Sequence, residues 1–198
     1  MKNRLYKTIV SGKYKGKKLL LPSKETTRSS KTIVLESFFN TLQFDIVDSI
    51  FIELFSGSGS IGLEALSRGA KEIIFFERDK EAIKVLRENI SQTDPSKCEI
   101  VVGDTFININ QAVAKLQRNS ARGYFYIDPP FSFRDGMDEI YNNMINLIKS
   151  LPADVVELVI IEHMSSLQLE PKIGVYELLK SKKFGNTTLS YYGEGELE

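Results

Sequence analysis

A single cysteine, Cys98, and a single histidine, His163, are all the thiol and imidazole chemistry that 198 residues contain. One thiol cannot close an internal disulfide, and neither residue can build a cysteine- or histidine-rich metal site, so no metal is expected. Long hydrophobic runs are missing as well. The most apolar stretches, such as 155–161, are short and strand-like, too short to cross a bilayer. The first ten residues, MKNRLYKTIV, lack the apolar core of a signal peptide. A cytoplasmic protein with no membrane partner is the expectation. Excess charge of either sign is also missing: 26 basic and 26 acidic residues give a formal net charge of +0.

The charge that is present is unevenly spread. Residues 1–31 carry ten basic side chains against one acid, Glu25, and the remainder carries 16 basic and 25 acidic residues. Such asymmetry fits an N-terminal module that touches phosphates and a body that does not. The alternative is a basic hairpin that merely faces water. The length suits one compact domain with an appendage.

Residues 4–22 read as a β-hairpin: Leu5, Thr8, Ile9 and Val10 form one run, a glycine-containing turn follows, and LLLP closes the second. The polar stretch 23–31 reads as a linker. Residues 1–28 are therefore set apart as a basic extension and 29–198 as the main domain. Ile33, Val34, Phe38, Phe39 and Leu42 recur at helical spacing, which predicts a helix over 31–44. Strands are expected at 50–55, 72–77, 98–102, 123–127 and 155–161, with helices near 60–68, 79–91, 105–118 and 135–150. This alternation implies crossover units and a mainly parallel sheet. Two more strands, 173–180 and 185–192, are expected to finish it in antiparallel fashion.

Glu53-Leu54-Phe55-Ser56-Gly57-Ser58-Gly59-Ser60-Ile61-Gly62 runs from the first parallel strand into a helix. Glycines there allow a sharp turn and close approach to a ligand, beside the free N–H groups of a helix start. Gly57, Gly59 and Gly62 also satisfy a dinucleotide fingerprint, with Glu77 where a ribose-binding acid should lie. Glu53 separates the two readings: a carboxylate suits a cationic amino-acid moiety and repels a pyrophosphate. Glu53 could instead cap the helix. Asp104, after the third strand, can accept from an adenine amino group.

Asp128-Pro129-Pro130-Phe131 directly follows the fourth strand, at the edge where open parallel sheets bind ligands. Consecutive prolines fix their own φ and restrict the residue before each, making a stiff ledge with the Asp128 carboxylate and the Pro129 carbonyl as fixed acceptors. An amine bonded to an aromatic ring is a poor nucleophile, because its lone pair is delocalised. Two acceptors gripping its N–H bonds would turn that lone pair toward a methyl donor, while Phe131 offers a stacking face.

Together these segments resemble the RsmD family of bacterial 16S ribosomal RNA guanine-N2 methyltransferases. The resemblance is carried by SGKYKGKKLLLP (11–22), ESFFNTL (36–42), ELFSGSGSIGLEALSRGA (53–70), FFERD (75–79), DPPF (128–131) and FGNTTLSYY (184–192). It implies the α/β fold of Rossmann-like class I S-adenosylmethionine-dependent methyltransferases: a seven-stranded, mainly parallel sheet with an antiparallel C-terminal strand, plus a small N-terminal hairpin. It implies methyl transfer from S-adenosylmethionine to N2 of a guanine in small-subunit ribosomal RNA, free or in an assembling 30S subunit; size and self-contained pattern favour a monomer. Glu53, Phe55, Ser56, Gly57, Ser58 and Gly59 would take the methionine part, Glu77 with Arg78 the ribose and Asp104 the adenine, with Asn40 also in the cofactor set. Asp128, Pro129, Pro130 and Phe131 would hold the base. Lys13, Lys15, Lys17, Lys18 and Arg28 would rest on the RNA backbone. One segment departs from the family: Ile33 and Leu35 stand where basic residues are expected.

Three residues are set aside. His163 is expected to be a satisfied buried or edge histidine, Cys98 to be packing, and at least one of Tyr191 and Tyr192 to be core, although both could stack on RNA. Rival functions remain: an amino-methyltransferase acting on DNA, another RNA base or a protein glutamine; a nicotinamide oxidoreductase; or a non-catalytic RNA-binding assembly factor.

Overall fold

The structure, a computed structural model, describes residues 5–22, 32–43, 45–129 and 137–195. The expected linker at 23–31 and Arg28 therefore lie outside the described residues. The chain divides into two compact units, Met1–Thr105 and Phe106–Glu198.

In the first unit, β1 (Tyr6–Thr8) and β2 (Lys18–Leu20) form the antiparallel hairpin, with Tyr6 opposite Leu20. Helix α1 (Thr32–Thr41) buries Val34, Leu35, Phe38 and Phe39. Of the two apolar residues at family-basic positions, Leu35 belongs to this core and Ile33 is 60% exposed. Strands β3 (Ile50–Leu54), β4 (Glu72–Glu77) and β5 (Cys98–Val102) pair in parallel in the order β5-β4-β3. All five residues of β3 are buried, as expected for a parallel strand covered on both faces. Helix α2 (Ser60–Ser67) follows β3, and α3 (Lys80–Ser91) follows β4. Ala82, Ile83, Leu86 and Ile90 form the apolar stripe of α3, and the Asp79 side chain caps its start by accepting from the N–H groups of Glu81 and Ala82.

The hairpin is fastened to this unit by buried polar groups. Glu64 of α2, 1% exposed, accepts from Val10 N at 2.8 Å, Ser11 N at 3.0 Å and Arg68 Nε at 2.8 Å. Ser67 accepts Tyr14 N on its hydroxyl at 2.9 Å and Lys13 N on its carbonyl at 2.7 Å. Gly12, at φ +82°, makes that approach feasible: a Cβ there would lie 1.8 Å from the Ser67 carbonyl oxygen. Ile9, Leu19 and Leu20 are buried beneath the hairpin, each contributing about 1.5–3 kcal/mol of apolar transfer free energy.

In the second unit, α4 (Thr105–Arg118, beginning at the boundary) precedes β6 (Gly123–Ile127), and α5 (Met137–Ser150) leads to β7 (Val156–Met164). β6 and β7 are parallel; β10 (Thr187–Gly193) pairs antiparallel with both β7 and β9 (Tyr176–Phe184), and β8 (Lys172–Ile173) pairs antiparallel with β9. Among the described residues eight strands lie outside the N-terminal hairpin, one more than the seven expected. The addition is β8, folded back by a two-residue turn at Gly174-Val175, with Gly174 at φ +64°. The expected strands at 173–180 and 185–192 shift accordingly, because Gly185 at φ +62° forms the next turn with Asn186. Tyr191 and Tyr192, of which at least one was expected in the core, are both fully buried. No helix of the described residues is long and apolar enough to cross a membrane.

Candidate active site

The loop after β3 is tightly wound. Phe55 (φ +61°), Gly57 (φ +52°) and Gly59 (φ +74°) all occupy the left-handed region within five residues. For Phe55 this costs on the order of 1 kcal/mol or more, a strain that concentrates where a chain must present its backbone to a ligand. Ser56 pins the loop to β4: its N–H donates to the Phe76 carbonyl at 2.9 Å, and its hydroxyl accepts from Phe76 N at 3.0 Å. Asn89 of α3, completely buried, donates to the Ser58 carbonyl at 2.9 Å.

The carboxylates at the strand ends are turned onto this loop. Glu53, 4% exposed, accepts from Gly62 N at 2.8 Å through Oε2 and so caps the first turn of α2. Gly62 is what lets it in; a Cβ there would lie 2.8 Å from Glu53 Oε2 and 2.6 Å from the Phe75 ring. Glu77 accepts from Gly57 N at 2.7 Å through Oε2, and from the N–H groups of Arg78 and Asp79 at 2.8 Å each through Oε1. Arg78 reaches Asp104 at 3.5 Å, an exposed pair of small energetic weight. Asn40 is exposed in the last turn of α1 and is not hydrogen-bonded into this network among the described residues.

These bonds bear on which cofactor fits. A dinucleotide pyrophosphate is held by free N–H groups at such a loop and helix start. Here the N–H groups of Gly57 and Gly62 are directed at the chain's own Glu77 and Glu53. Anions already line the place a pyrophosphate would occupy. A loop edged by Glu53, Glu77 and Asp104 instead fits a ligand carrying a cationic amine, ribose hydroxyls and an adenine amino group, as S-adenosylmethionine does.

In the second unit, β6 delivers Asp128, half-buried, and Pro129, buried. Pro130 and Phe131 lie outside the described residues. Beside this ledge the Tyr126 hydroxyl donates to Glu162 Oε2 at the end of β7. His163, 3% exposed, uses both ring nitrogens structurally, with Nδ1 against the Met164 carbonyl and Nε2 against the Ser190 hydroxyl at 2.9 Å each. Burial lowers its pKa, which favours the neutral ring; Cys98 is half-buried, its thiol pushed up to about 12 by burial. Among the described residues no group of three or more His, Cys, Asp or Glu side chains could hold a metal.

On the hairpin, Lys13, Lys15, Lys17 and Lys18 are all exposed. The ammonium groups of Lys13 and Lys17 lie 5.2 and 5.9 Å from the centroid of the Tyr14 ring. Sequence reasoning missed Glu64, Asn89, Tyr126 and Glu162. The signal for Glu162 was present as a carboxylate directly after the apolar run Leu158–Ile161. The bonds of Glu64 to Val10 and Ser11 and of Asn89 to Leu20 span 53 to 69 positions and left no local trace.

Residues 7–193 match the model of a family described as "Conserved hypothetical protein 95". Bacillus subtilis YlbH is 28% identical over 93% of this chain and 97% of its own length. The Escherichia coli ribosomal RNA small subunit methyltransferase D is 31% identical over 69% of this chain and 65% of its own length, so the chain matches just under two thirds of that relative. The solved structure of Escherichia coli yhhF superposes with a TM-score of 0.72 at 26% identity, covering 97% of this chain and 99% of that one. The strand-end carboxylates, the wound glycine loop and the Asp-Pro ledge thus belong to a chain that is a member of the conserved hypothetical protein 95 family, the RsmD-like family its motifs resemble.

Proposed function

We propose that this protein transfers a methyl group from S-adenosylmethionine to the exocyclic N2 amine of a guanine in small-subunit ribosomal RNA. The observation that carries the reading is the donor set of the glycine loop, whose N–H groups turn to Glu53 and Glu77 and leave an acidic, phosphate-repelling cradle. That chemistry fits a sulfonium amino-acid cofactor and disfavours a nicotinamide dinucleotide. Ribosomal RNA as partner is supported by the related small subunit methyltransferase D.

S-adenosylmethionine supplies an electrophilic methyl on a positively charged sulfur. The chain contributes positioning, which for an in-line displacement accounts for most of the catalysis. Glu53 and Gly57 to Gly59 would hold the methionine part, with Phe55, Ser56 and Ser58 shaping the loop. Glu77 and Arg78 would meet the ribose and Asp104 the adenine. Asp128 would accept one N–H of the target amine and the Pro129 carbonyl the other, with Pro130 stiffening the ledge and Phe131 stacking on the base. The hairpin lysines Lys13, Lys15, Lys17 and Lys18, with Arg28, would lie on the RNA backbone, making residues 1–28 the RNA-contacting extension of a catalytic body over 29–198.

The test offers labelled S-adenosylmethionine in parallel with naked small-subunit ribosomal RNA, partly assembled 30S subunits, DNA and a protein extract, followed by nucleoside analysis. Label recovered as N2-methylguanosine is the expected result. Label in DNA or protein, or none anywhere, overturns the reading.

A further inference from the structure

We propose that Glu162 is the specificity-determining residue for guanine, reading N1–H while Asp128 holds the N2 amine. This rests on the methyl-transfer reading above and extends it to how one base is chosen.

β6 and β7 run parallel, with Tyr126 paired to Ile160 and Ile127 to Ile161. Asp128 follows directly on the last paired residue of β6, and Glu162 is the next residue of β7 after Ile161; neighbouring strands lie about 4.8 Å apart. The Tyr126 hydroxyl donates to Glu162 Oε2, so those two side chains share a face of the sheet. Asp128, two residues beyond Tyr126 and just past the end of β6, precedes a proline, which favours continued extended backbone and hence the same face. This placement brings two carboxylate-bearing residues to neighbouring positions where the ledge meets the sheet.

Glu162 is an expensive residue to place there. It is 6% exposed, at the end of a strand in which Ile160 and Ile161 are fully buried. A buried carboxylate must be hydrogen-bonded. Tyr126 orients this one by bonding Oε2.

The pairing matches one nucleobase edge. Guanine presents two adjacent donors, N1–H and N2–H, along its Watson–Crick edge. Adenine and cytosine present an amine beside a ring nitrogen that is an acceptor. Against two carboxylates the guanine edge meets acceptor with donor at both places, whereas the other edges set a lone pair against Glu162. A site built to bond a donor rejects a base lacking it far more strongly than an apolar pocket could.

The experiment compares guanine with 2,6-diaminopurine, which keeps the same N2 amine but has an acceptor at N1. After the methylated nucleotide is mapped, small-subunit RNA ligated with either base at that position is assayed for kcat/KM. Wild type should prefer guanine by about 100-fold. Glu162→Gln, whose amide keeps the partner for Tyr126 and can donate to N1, should cut that preference to about 10-fold or less while S-adenosylhomocysteine affinity is retained. Tyr126→Phe, which leaves the carboxylate in place but unaligned, should lower the preference in the same direction, and serves if the first variant fails to fold. An equal fall on both bases, or an unchanged ratio, overturns the role of Glu162. Failure of the wild type to methylate guanine is a different outcome, overturning the reading on which this one rests.

Discussion

Asn89 grips Leu20 through both of its backbone groups: Oδ1 accepts from Leu20 N at 2.7 Å and Nδ2 donates to the Leu20 carbonyl at 2.9 Å. The same Nδ2 reaches the Ser58 carbonyl. One buried amide thus joins the second hairpin strand to the glycine loop, so the basic hairpin and that loop share a support.

Asn89→Ala leaves buried backbone groups without partners and should cost about 2–4 kcal/mol of folding stability, read from urea denaturation. Asn89→Asp, which removes the Nδ2 donor at constant shape, should also destabilise. A change within about 0.5 kcal/mol for either variant, the range of an ordinary surface substitution, would contradict this account of the hairpin's attachment.

Charge reversal at Lys13, Lys15, Lys17 and Lys18 should weaken RNA binding and flatten its salt dependence. Each lost phosphate contact should remove about 0.7–0.9 from the slope of log affinity against log salt. An unchanged slope in filter-binding titrations would place the RNA contact elsewhere.

The pKa of His163 is lowered from 6.5 chiefly by burial, opposed by its bond to the Met164 carbonyl. Its folded-state pKa lies below the unfolded one, so the unfolded chain takes up the proton first as pH falls. The histidine's contribution is intact above 6.5 and declines as pH drops from there through the folded value. Denaturation midpoints from pH 8 to 5 should fall less steeply for His163→Gln than for wild type. Parallel curves would show that His163 does not drive the acid loss.

The parallel units were legible because each strand is a short apolar run followed by a helix of amphipathic period, as in β4 and α3. The glycine loop was legible because positive φ at Gly57 and Gly59 needs glycine. What the sequence withheld were contacts between distant residues. The cap by Glu53 on Gly62, weighed there as an alternative, is what forms, and the bond from Gly57 N to Glu77 becomes visible only when β3 and β4 lie side by side. Tyr191 and Tyr192 could be taken for an alternating terminal strand because the chain ends soon after them. β10 is instead an inner strand, paired with β7 on one side and β9 on the other, and both tyrosines are fully buried.

Asp128→Ala should lower transfer by about 100-fold or more, since a positioned group at the reacting amine is removed. Cofactor affinity, measured by calorimetry with S-adenosylhomocysteine, should stay within a few-fold of wild type, because this carboxylate is assigned to the base. Loss of cofactor binding, or normal turnover, would show that assignment to be wrong.

The most direct test of the central claim is nucleoside mass spectrometry of small-subunit ribosomal RNA from cells with and without this chain. The account predicts that N2-methylguanosine falls by one residue per small subunit when the chain is removed. It should return with the wild-type chain but not with Asp128→Ala. An unchanged N2-methylguanosine content, or loss of a different methylated nucleoside, would contradict it.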